Sequence, residues 1–446
     1  NADELFVASD LSAMYKTNNL GQWWNIVPFW EISTSTNSKI NFTNDPNIQY
    51  CITSNGFQFI PKKTTDGGEN WEEFAPPPID FEAWNLFANP NNSNQLLISS
   101  YSDLYFSNDG GNSFSPIYSA PDLYLGGAFW DGNNIYVGCR TGLLVSNDGG
   151  NSFNISAELG DLPSDFGMLS LTGAKEGNSV RLFCVARSNS SMWPGMQASE
   201  YWADQDIFKM NIGSGNGWEL SNQGIPIDDF PFFVDMAQNN IDIIYTAGAK
   251  GWPNFPLVYK SEDGGSNWSR VFKQENNENI ATGWQGTGGD ENWWWGGNAM
   301  GFEVASNDPN LAVITDFGFI HLTDDGGENW RQAYVHPDYE NPPGDIDNEN
   351  QTYIGNGMNQ TSCWWVHWSM NGPIQVGFSD ITGIRSEGNI YKWSFDYEGN
   401  DWNSTYHIIE DANGTMYAAV SDIHDIYQST RLRDNPLDNG KGAVLF

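Results

Sequence analysis

Thr64-Thr-Asp-Gly-Gly-Glu-Asn-Trp71 is one of five copies of a single eight-residue phrase in this chain. The others are Ser107-Asn-Asp-Gly-Gly-Asn-Ser-Phe114, Ser146-Asn-Asp-Gly-Gly-Asn-Ser-Phe153, Ser261-Glu-Asp-Gly-Gly-Ser-Asn-Trp268 and Thr323-Asp-Asp-Gly-Gly-Glu-Asn-Trp330. Each opens on a hydroxyl residue, places Asp third and two glycines next, and closes on an aromatic ring. Such a phrase reads as a tight turn between antiparallel strands. The Asp accepts backbone N–H bonds within the turn, and glycine takes the positive φ that a side chain resists. The closing Trp or Phe is expected to tuck beneath the turn as a plug. Repetition on this scale indicates a propeller, a solenoid or an array.

Outward from each phrase the same order recurs. An alternating strand such as Asn134-Ile-Tyr-Val-Gly-Cys139 comes first, a short strand such as Leu143-Leu-Val145 leads into the turn, and another strand follows. Degenerate copies fill the gaps: Thr17-Asn-Asn-Leu-Gly-Gln-Trp-Trp24, Asn211-Ile-Gly-Ser-Gly-Asn-Gly-Trp218 and Ser394-Phe-Asp-Tyr-Glu-Gly-Asn-Asp-Trp402. The eight copies start at 17, 64, 107, 146, 211, 261, 323 and 394, at intervals of 47, 43, 39, 65, 50, 62 and 71. Four short strands with their turns occupy roughly 40 to 50 residues. The sequence therefore predicts an all-β protein: a β-propeller of about eight (seven to nine) four-stranded blades, residues 1–446 as one domain. Intervals above that size imply insertions, where function tends to lie. Glu4–Ser9 starts mid-blade, Thr415–Val420 begins a further blade, and Gly442–Phe446 resembles a strand entering another turn. Either the terminal strands complement each other or the chain is part of a longer protein.

Composition narrows the partners. The chain has 446 residues, 39 % hydrophobic and 15 % aromatic, without a run of eighteen apolar residues. Nineteen basic against fifty-six acidic side chains give a net charge of −37. That field disfavours nucleic acid, anionic membranes and anionic polysaccharides. No secretory leader is visible and residue 1 is Asn, so the numbering is taken to start at a processed or trimmed end. Four spaced cysteines (Cys51, Cys139, Cys184, Cys363) form no CxxC pair, and sequence does not choose between disulfides and free thiols. Nine Asn-x-Ser/Thr sites, at Asn41, Asn91, Asn154, Asn189, Asn267, Asn350, Asn359, Asn403 and Asn413, suit a secreted, cell-surface or glycosylated protein.

The turn phrase resembles the Asp-box (BNR-type) repeats of sialidases, sortilin-type receptors and the xyloglucan-specific glycoside hydrolases. It is most similar to the hydrolases, whose blades carry a second phrase, Thr-Asp-Val-Gly-Gly-Ile/Ala-Tyr, ahead of the box. Ser9-Asp-Leu-Ser-Ala-Met-Tyr15, Thr315-Asp-Phe-Gly-Phe-Ile320, Ser379-Asp-Ile-Thr-Gly-Ile384 and Ser421-Asp-Ile-His-Asp-Ile-Tyr427 echo it. The resemblance implies one catalytic carboxylate at Asp10, although Ser12 and Ala13 replace the two glycines. Those enzymes usually pair two propellers around a cleft, whereas this chain supplies about one. A sialidase is disfavoured, because no Arg-Ile-Pro element is present and eight arginines are few for a carboxylate-binding triad.

The box aspartates Asp66, Asp109, Asp148, Asp263 and Asp325 are expected to be structural. Asp10, Asp316, Asp380 and Asp422 lie in hairpins at the other end of the blades. Two of these facing across a groove would supply acid and base for glycoside hydrolysis, at roughly 6.5–9.5 Å for inversion or about 5–5.5 Å for retention. The plain alternative is that each caps its hairpin. The insertion Gly283–Gly297 carries Trp284 and the run Trp293, Trp294, Trp295, with Asp290 and Glu291 alongside. Alternation along a strand leaves at least one of three consecutive indoles exposed, as a platform for a neutral sugar. Trp364-Trp-Val-His-Trp368 alternates and reads as a buried inner strand. Asp345–Glu349 is a weak fragment of a calcium loop. No metal or cofactor site is expected, since the five histidines lack ligand spacing and no Gly-rich phosphate loop follows a strand, and the absence of GxSxG leaves nucleophilic serine chemistry without support.

The leading expectation is a secreted glycoside hydrolase-like propeller that acts on or binds a neutral β-glucan such as xyloglucan. If it is an enzyme, Asp10 works with Asp316 or Asp380, and Trp284 and Trp293–Trp295 line subsites. The rival is a non-catalytic extracellular adhesion, receptor or surface-assembly propeller that meets a protein partner. Whether the chain is catalytic is left open by sequence.

Overall fold

The computed structural model describes residues 3–9, 12–35, 38–74, 82–155, 162–200, 205–251, 255–282, 296–344, 354–358, 362–370, 372–379, 381–394, 402–423 and 441–446. These form nine antiparallel sheets joined in chain order. No linker marks a boundary in the sequence, yet the chain divides into two compact units. Unit 1 is Asn1–Gln274 with Trp294–Ala333, and unit 2 is Glu275–Trp293 with Tyr334–Phe446.

Unit 1 holds seven sheets, numbered along the chain: sheet 1 within 5–27, sheet 2 within 41–73, sheet 3 within 85–119, sheet 4 within 125–155, sheet 5 within 166–220, sheet 6 within 229–270 and sheet 7 within 301–332. Sheet 4 shows the plan: Leu125–Asp131, Asn134–Cys139, Gly142–Ser146 and Asn154–Ile155 pair in that order. The second strand, sandwiched between neighbouring sheets, is apolar on both faces, as in Asn134–Cys139 and Leu96–Ser99. The fourth is two exposed residues in sheets 2, 4 and 5. Cores lie between consecutive sheets: Met14, Ile32 and Cys51 between sheets 1 and 2, Tyr50 and Leu86 between 2 and 3, Leu104 and Ile135 between 3 and 4. Phe129 and Leu182 join sheets 4 and 5, and Phe183 and Val234 join 5 and 6.

Three turn-closing tryptophans share one cross-sheet geometry that reaches round to ring closure, whereas Trp71 bonds the Gly68 carbonyl of its own turn. Trp268, which ends the turn of sheet 6, donates its indole N–H to the Ser221 carbonyl, three residues beyond Trp218 of sheet 5 (2.7 Å). Trp330 of sheet 7 donates to Val271, three residues beyond Trp268 (3.0 Å). Trp24 of sheet 1 donates to Ala333, three residues beyond Trp330 (2.7 Å). Sheet 7 thus stands to sheet 1 as sheet 5 stands to sheet 6, and unit 1 closes as a ring. A Cβ on Gly21, at φ +74°, would meet the Ala333 side chain at 3.0 Å, so the join is close-packed.

The five phrases build near-identical turns. In the first, the buried Thr64 hydroxyl accepts from the Gly68 N–H and donates to Asp66 Oδ1. Asp66 Oδ1 also accepts the Glu69 and Asn70 amides, and its Oδ2 accepts the Asn70 side-chain amide. Those bonds, led by Asn70, hold the Asp66 carboxyl down at about 2. Asp109, Asp148, Asp263 and Asp325 are bonded in the same manner, and all four carboxyls are held below the usual range. The degenerate Thr17 phrase folds the same way with Asn19 in place of Asp, accepting the Trp23 amide while Gly21 N–H binds the Thr17 hydroxyl. The Asn211 phrase forms a different turn, anchored by Ser214 on the Asn211 carbonyl.

Unit 2 holds two sheets. One contains Cys363–Trp368, Ile374–Phe378, Gly383–Ser386 and Trp393–Ser394; the other Ser404–Glu410, Met416–Ser421 and Gly442–Leu445. The expectation that Trp364–Trp368 is a buried strand is corrected here. Trp365 is 38 % exposed, Val366 58 % and Trp368 71 %. Alternation identified the strand, but burial depends on what packs against it, which a period of two does not encode. All four cysteines are free thiols: Cys51, Cys139 and Cys184 buried, Cys363 exposed.

Candidate functional site

Antiparallel pairing assigns every connection in unit 1 to one of two ends. The phrase turns share an end with the first hairpin of each sheet, as the bonds from Gly67 to Asn47, Gly110 to Asn94 and Gly149 to Asn133 demonstrate. The second hairpins and the sheet-to-sheet connections form the opposite rim. There the structure gathers chemistry in three places.

The first is the hairpin between Ala312–Thr315 and Ile320–Thr323 in sheet 7. Asp316 Oδ1 accepts the Gly318 and Phe319 amides (2.9 and 2.7 Å), while Oδ2 is shut off from solvent without a hydrogen-bond partner. Burial pushes this carboxyl up to about 7 against the pull of the two amides. A protonated carboxyl is what a general acid needs, though its spare oxygen faces protein. The Gly296 carbonyl, directly after the Trp293–Trp295 run, accepts the Phe317 amide at 3.3 Å. The tryptophan insertion therefore rejoins the described chain beside Asp316.

The second place adjoins the hairpin of sheet 1, where the Ser9 N–H binds the Ala13 carbonyl. Thr34 donates its hydroxyl to the Ser9 carbonyl and its amide to the Ser12 carbonyl. Just ahead of Thr34, the turn Pro28–Glu31 presents Phe29 (72 % exposed) and Trp30 (67 %), their rings 5.3 Å apart edge to face. That turn is pinned: Lys62 donates to the carbonyls of Trp30 and Glu31, and the Glu31 carboxylate accepts the Trp71 amide at 2.7 Å.

The third spans sheets 3 to 5. Trp84 sits edge to face with Phe59 and with Tyr101, at 5.2 and 5.8 Å. Between Ser179–Ser188 and Gln205–Asn211 runs a strap, described over 189–200, that reaches this cluster. A Cβ on Gly195, at φ +77°, would strike the Trp84 indole at 2.6 Å, so only glycine permits the contact. Arg140 Nε donates to the Asn189 carbonyl of the strap at 2.7 Å, and its Nη1 to the Pro121 carbonyl and, at 3.5 Å, to Asp122. Underneath, the buried Arg187 holds the Glu200 carbonyl at 3.0 Å.

Asp10, Asp380, Trp284, Trp293, Trp294 and Trp295 lie outside the described residues, as do Asp290, Glu291 and 345–349. Asp422 caps its own connection, accepting the Lys441 amide at 2.6 Å. In unit 2, Glu410 accepts from the Met370 amide, His367 and Ser369, which in that order of cause hold its carboxyl low. Sequence reasoning missed Phe29, Trp30, Tyr101, Asp122 and Arg140. The 65-residue interval after Ser146 signalled the strap, but nothing local marks the rim residues it meets. Among the described residues no three His, Cys, Asp or Glu side chains group as a metal site, and no helix is long and apolar enough to cross a membrane.

No protein-family profile matches the chain, and no curated protein sequence does. Solved structures do. The GH74 enzyme of Niastella koreensis superimposes with a TM-score of 0.66 at 16 % identity, over 94 % of this chain and 62 % of that one. The GH74 xyloglucanase of Xanthomonas campestris gives 0.63 at 14 % identity over the same shares, and an ancestral GH74 enzyme 0.66 at 15 %, over 100 % and 60 %. This chain spans about three fifths of their length. At such identities the likeness establishes the fold alone, a β-propeller.

Proposed function

We propose that this chain is a secreted Asp-box propeller directed at a neutral β-glucan of the xyloglucan kind, with seven blades in unit 1 and two in unit 2. The observation that carries the reading is the distribution of aromatic and polar groups in unit 1. Tyr101, Trp193 and Phe317 stand exposed on the rim opposite the phrase turns, and Phe29 and Trp30 stand exposed on the connection from sheet 1 to sheet 2. Apolar ring faces with hydrogen-bonding neighbours match the alternating C–H and hydroxyl surfaces of a sugar. A net charge of −37 leaves a neutral polymer as the compatible glycan.

In this reading Asp316 is the general acid, because its carboxyl already rests near neutrality, and Asp10 is its partner carboxylate. Trp284 and Trp293–Trp295 extend the aromatic track. N-glycans would decorate the open sequons, but Asn267 is not available, since its Nδ2 donates to Asp263 within a phrase turn at 2.7 Å.

Reducing-sugar release from a panel of neutral glucans tests the proposal, with Asp10→Asn and Asp316→Asn alongside. Release that falls at least a hundredfold in either variant supports the assignment, the scale usual for general acid–base groups. Equal release by all three proteins removes both carboxylates from the mechanism. A non-catalytic propeller with a protein partner is the second reading, favoured by the exposed Trp365, Val366, Trp368 and Met370 of unit 2.

A further inference from the structure

The corner formed by Tyr101, Asp122 and Arg140 is built to keep hydrogen-bonding capacity unspent. Arg140 carries five N–H donors in a rigid fork. Nε and Nη1 are committed to the strap, to Pro121 and to Asp122, while Nη2 makes no hydrogen bond among the described residues. Asp122 meets the guanidinium only at 3.5 Å and also accepts from the neighbouring Tyr101 hydroxyl, but it is half-exposed and a carboxylate has about four acceptor positions, so it retains acceptor capacity. Its backbone sits at φ +50°, in the left-handed region that a residue other than glycine rarely occupies. Such outliers persist where the surroundings enforce them, and they concentrate at ligand sites. The Tyr101 carbonyl helps enforce it, accepting the Leu123 amide at 2.9 Å.

Beside this donor–acceptor pair stand aromatic rings that structure alone does not require to be exposed. Tyr101 is 45 % exposed with its ring braced against Trp84. Trp193, 39 % exposed, rides on the strap between its two anchors, Asn189 on Arg140 and Gly195 on Trp84. An already paired carboxylate and guanidinium give no net pull on an ion. Together they suit a ligand that donates one hydrogen bond and accepts another from adjacent atoms, as vicinal hydroxyls do, while a ring face takes its apolar side.

We propose that Tyr101, Asp122 and Arg140, with Trp193 on the strap, form a saccharide subsite for one neutral pyranose of a glucan chain. The proposal rests on the carbohydrate-directed reading above and supplies it with a binding position independent of the candidate catalytic carboxylates. In the subsite, a sugar hydroxyl donates to Asp122 and its neighbour accepts from Arg140 Nη2.

Calorimetric titration with cellotetraose and with a xyloglucan heptasaccharide tests it, using the whole chain, Tyr101→Leu and Asp122→Gly. Glycine suits φ +50°, so Asp122→Gly is expected to keep or raise the unfolding midpoint while weakening binding roughly tenfold, the loss of one charge-assisted hydrogen bond. Tyr101→Leu is expected to weaken it by a similar factor. Unchanged affinity in both folded variants overturns the subsite and leaves the wider carbohydrate reading standing. Failure of the unaltered chain to bind either probe removes both.

Discussion

The two ends of unit 1 use the same residue types to opposite purposes. At the phrase-turn end, Asp66, Asp148 and Asp263 spend their oxygens on amides and hydroxyls two to four residues away, and their carboxyls sit at about 2. At the other rim, Asp316 has an oxygen without a partner and Asp122 a long, half-exposed contact. Trp24, Trp268 and Trp330 are buried plugs at the first end, whereas Phe57, Tyr101 and Phe317 are exposed at the second. One end is saturated and holds the ring together. The other retains free valence, and the sequence repeats there only in the short phrases that begin Ser9-Asp10 and Thr315-Asp316.

The comparison is broken most directly at Trp24. Trp24→Ala removes a buried indole and its bond to Ala333, and should cost about 3–5 kcal/mol by cavity formation. Urea unfolding followed by tryptophan fluorescence measures it. A loss below about 1 kcal/mol would mean that the ring does not depend on this join.

Acidity gives the next largest effect, and the turns and the inner strands should answer it with opposite signs. The phrase carboxyls are depressed, so their contribution is present above their ordinary pKa near 4 and is lost as pH falls toward 2. Asp235, on the first strand of sheet 6, behaves inversely. Burial, and then the nearby Glu303 carboxylate, push it up to about 7, with Lys39 opposing. Its oxygens meet Thr172 of sheet 5 (3.0 Å) and the Val304 amide of sheet 7 (2.7 Å), and Lys39 bridges to Glu303 at 2.8 Å. A raised carboxyl favours folding fully below its unfolded pKa, and that contribution disappears as pH rises through about 7. The melting temperature should therefore fall as pH rises from about 4, the ordinary carboxylate value, to about 7. Asp235→Asn, which can still accept from Val304 and donate to Thr172, should make that limb shallower, the remainder belonging to Asp316, and leave the acid limb unchanged. An undiminished slope in the variant would show that Asp235 does not titrate there.

The smallest effect sharpens the contrast from the rim side. Phe57 is 94 % exposed in the second hairpin of sheet 2. Phe57→Ser should shift stability by no more than about 0.5 kcal/mol, since no packing is lost. A larger loss, read by the same urea titration, would mean that this rim carries structural weight as the other end does.

How far the sequence could be read follows from the same contrast. Thr64, Asp66 and Trp71 interact within eight residues, so their pattern is local and visible as a phrase. Even Asn19 in the Thr17 copy was recoverable, because an amide oxygen accepts the same backbone bond. The third-residue rule linking Trp330 to Val271 and Trp24 to Ala333 is also periodic, but it crosses sheets, and only coordinates expose it. For the rim, residue type was a poor guide. Asp316 was marked by its phrase, whereas Tyr101, Asp122 and Arg140 share no phrase at all. The Trp364–Trp368 strand misled for a related reason, since alternation reports a sheet face and not its neighbour.

By itself, then, the sequence determined the repeat unit, the turn chemistry and the all-β class, because each arises from contacts only a few residues apart. Tertiary structure alone decided that seven sheets close one compact unit and two belong to another. It also decided which aromatics stay exposed and which carboxyls rise toward neutrality. Those properties depend on desolvation and on side chains brought together from distant positions, and chain order carries no record of either.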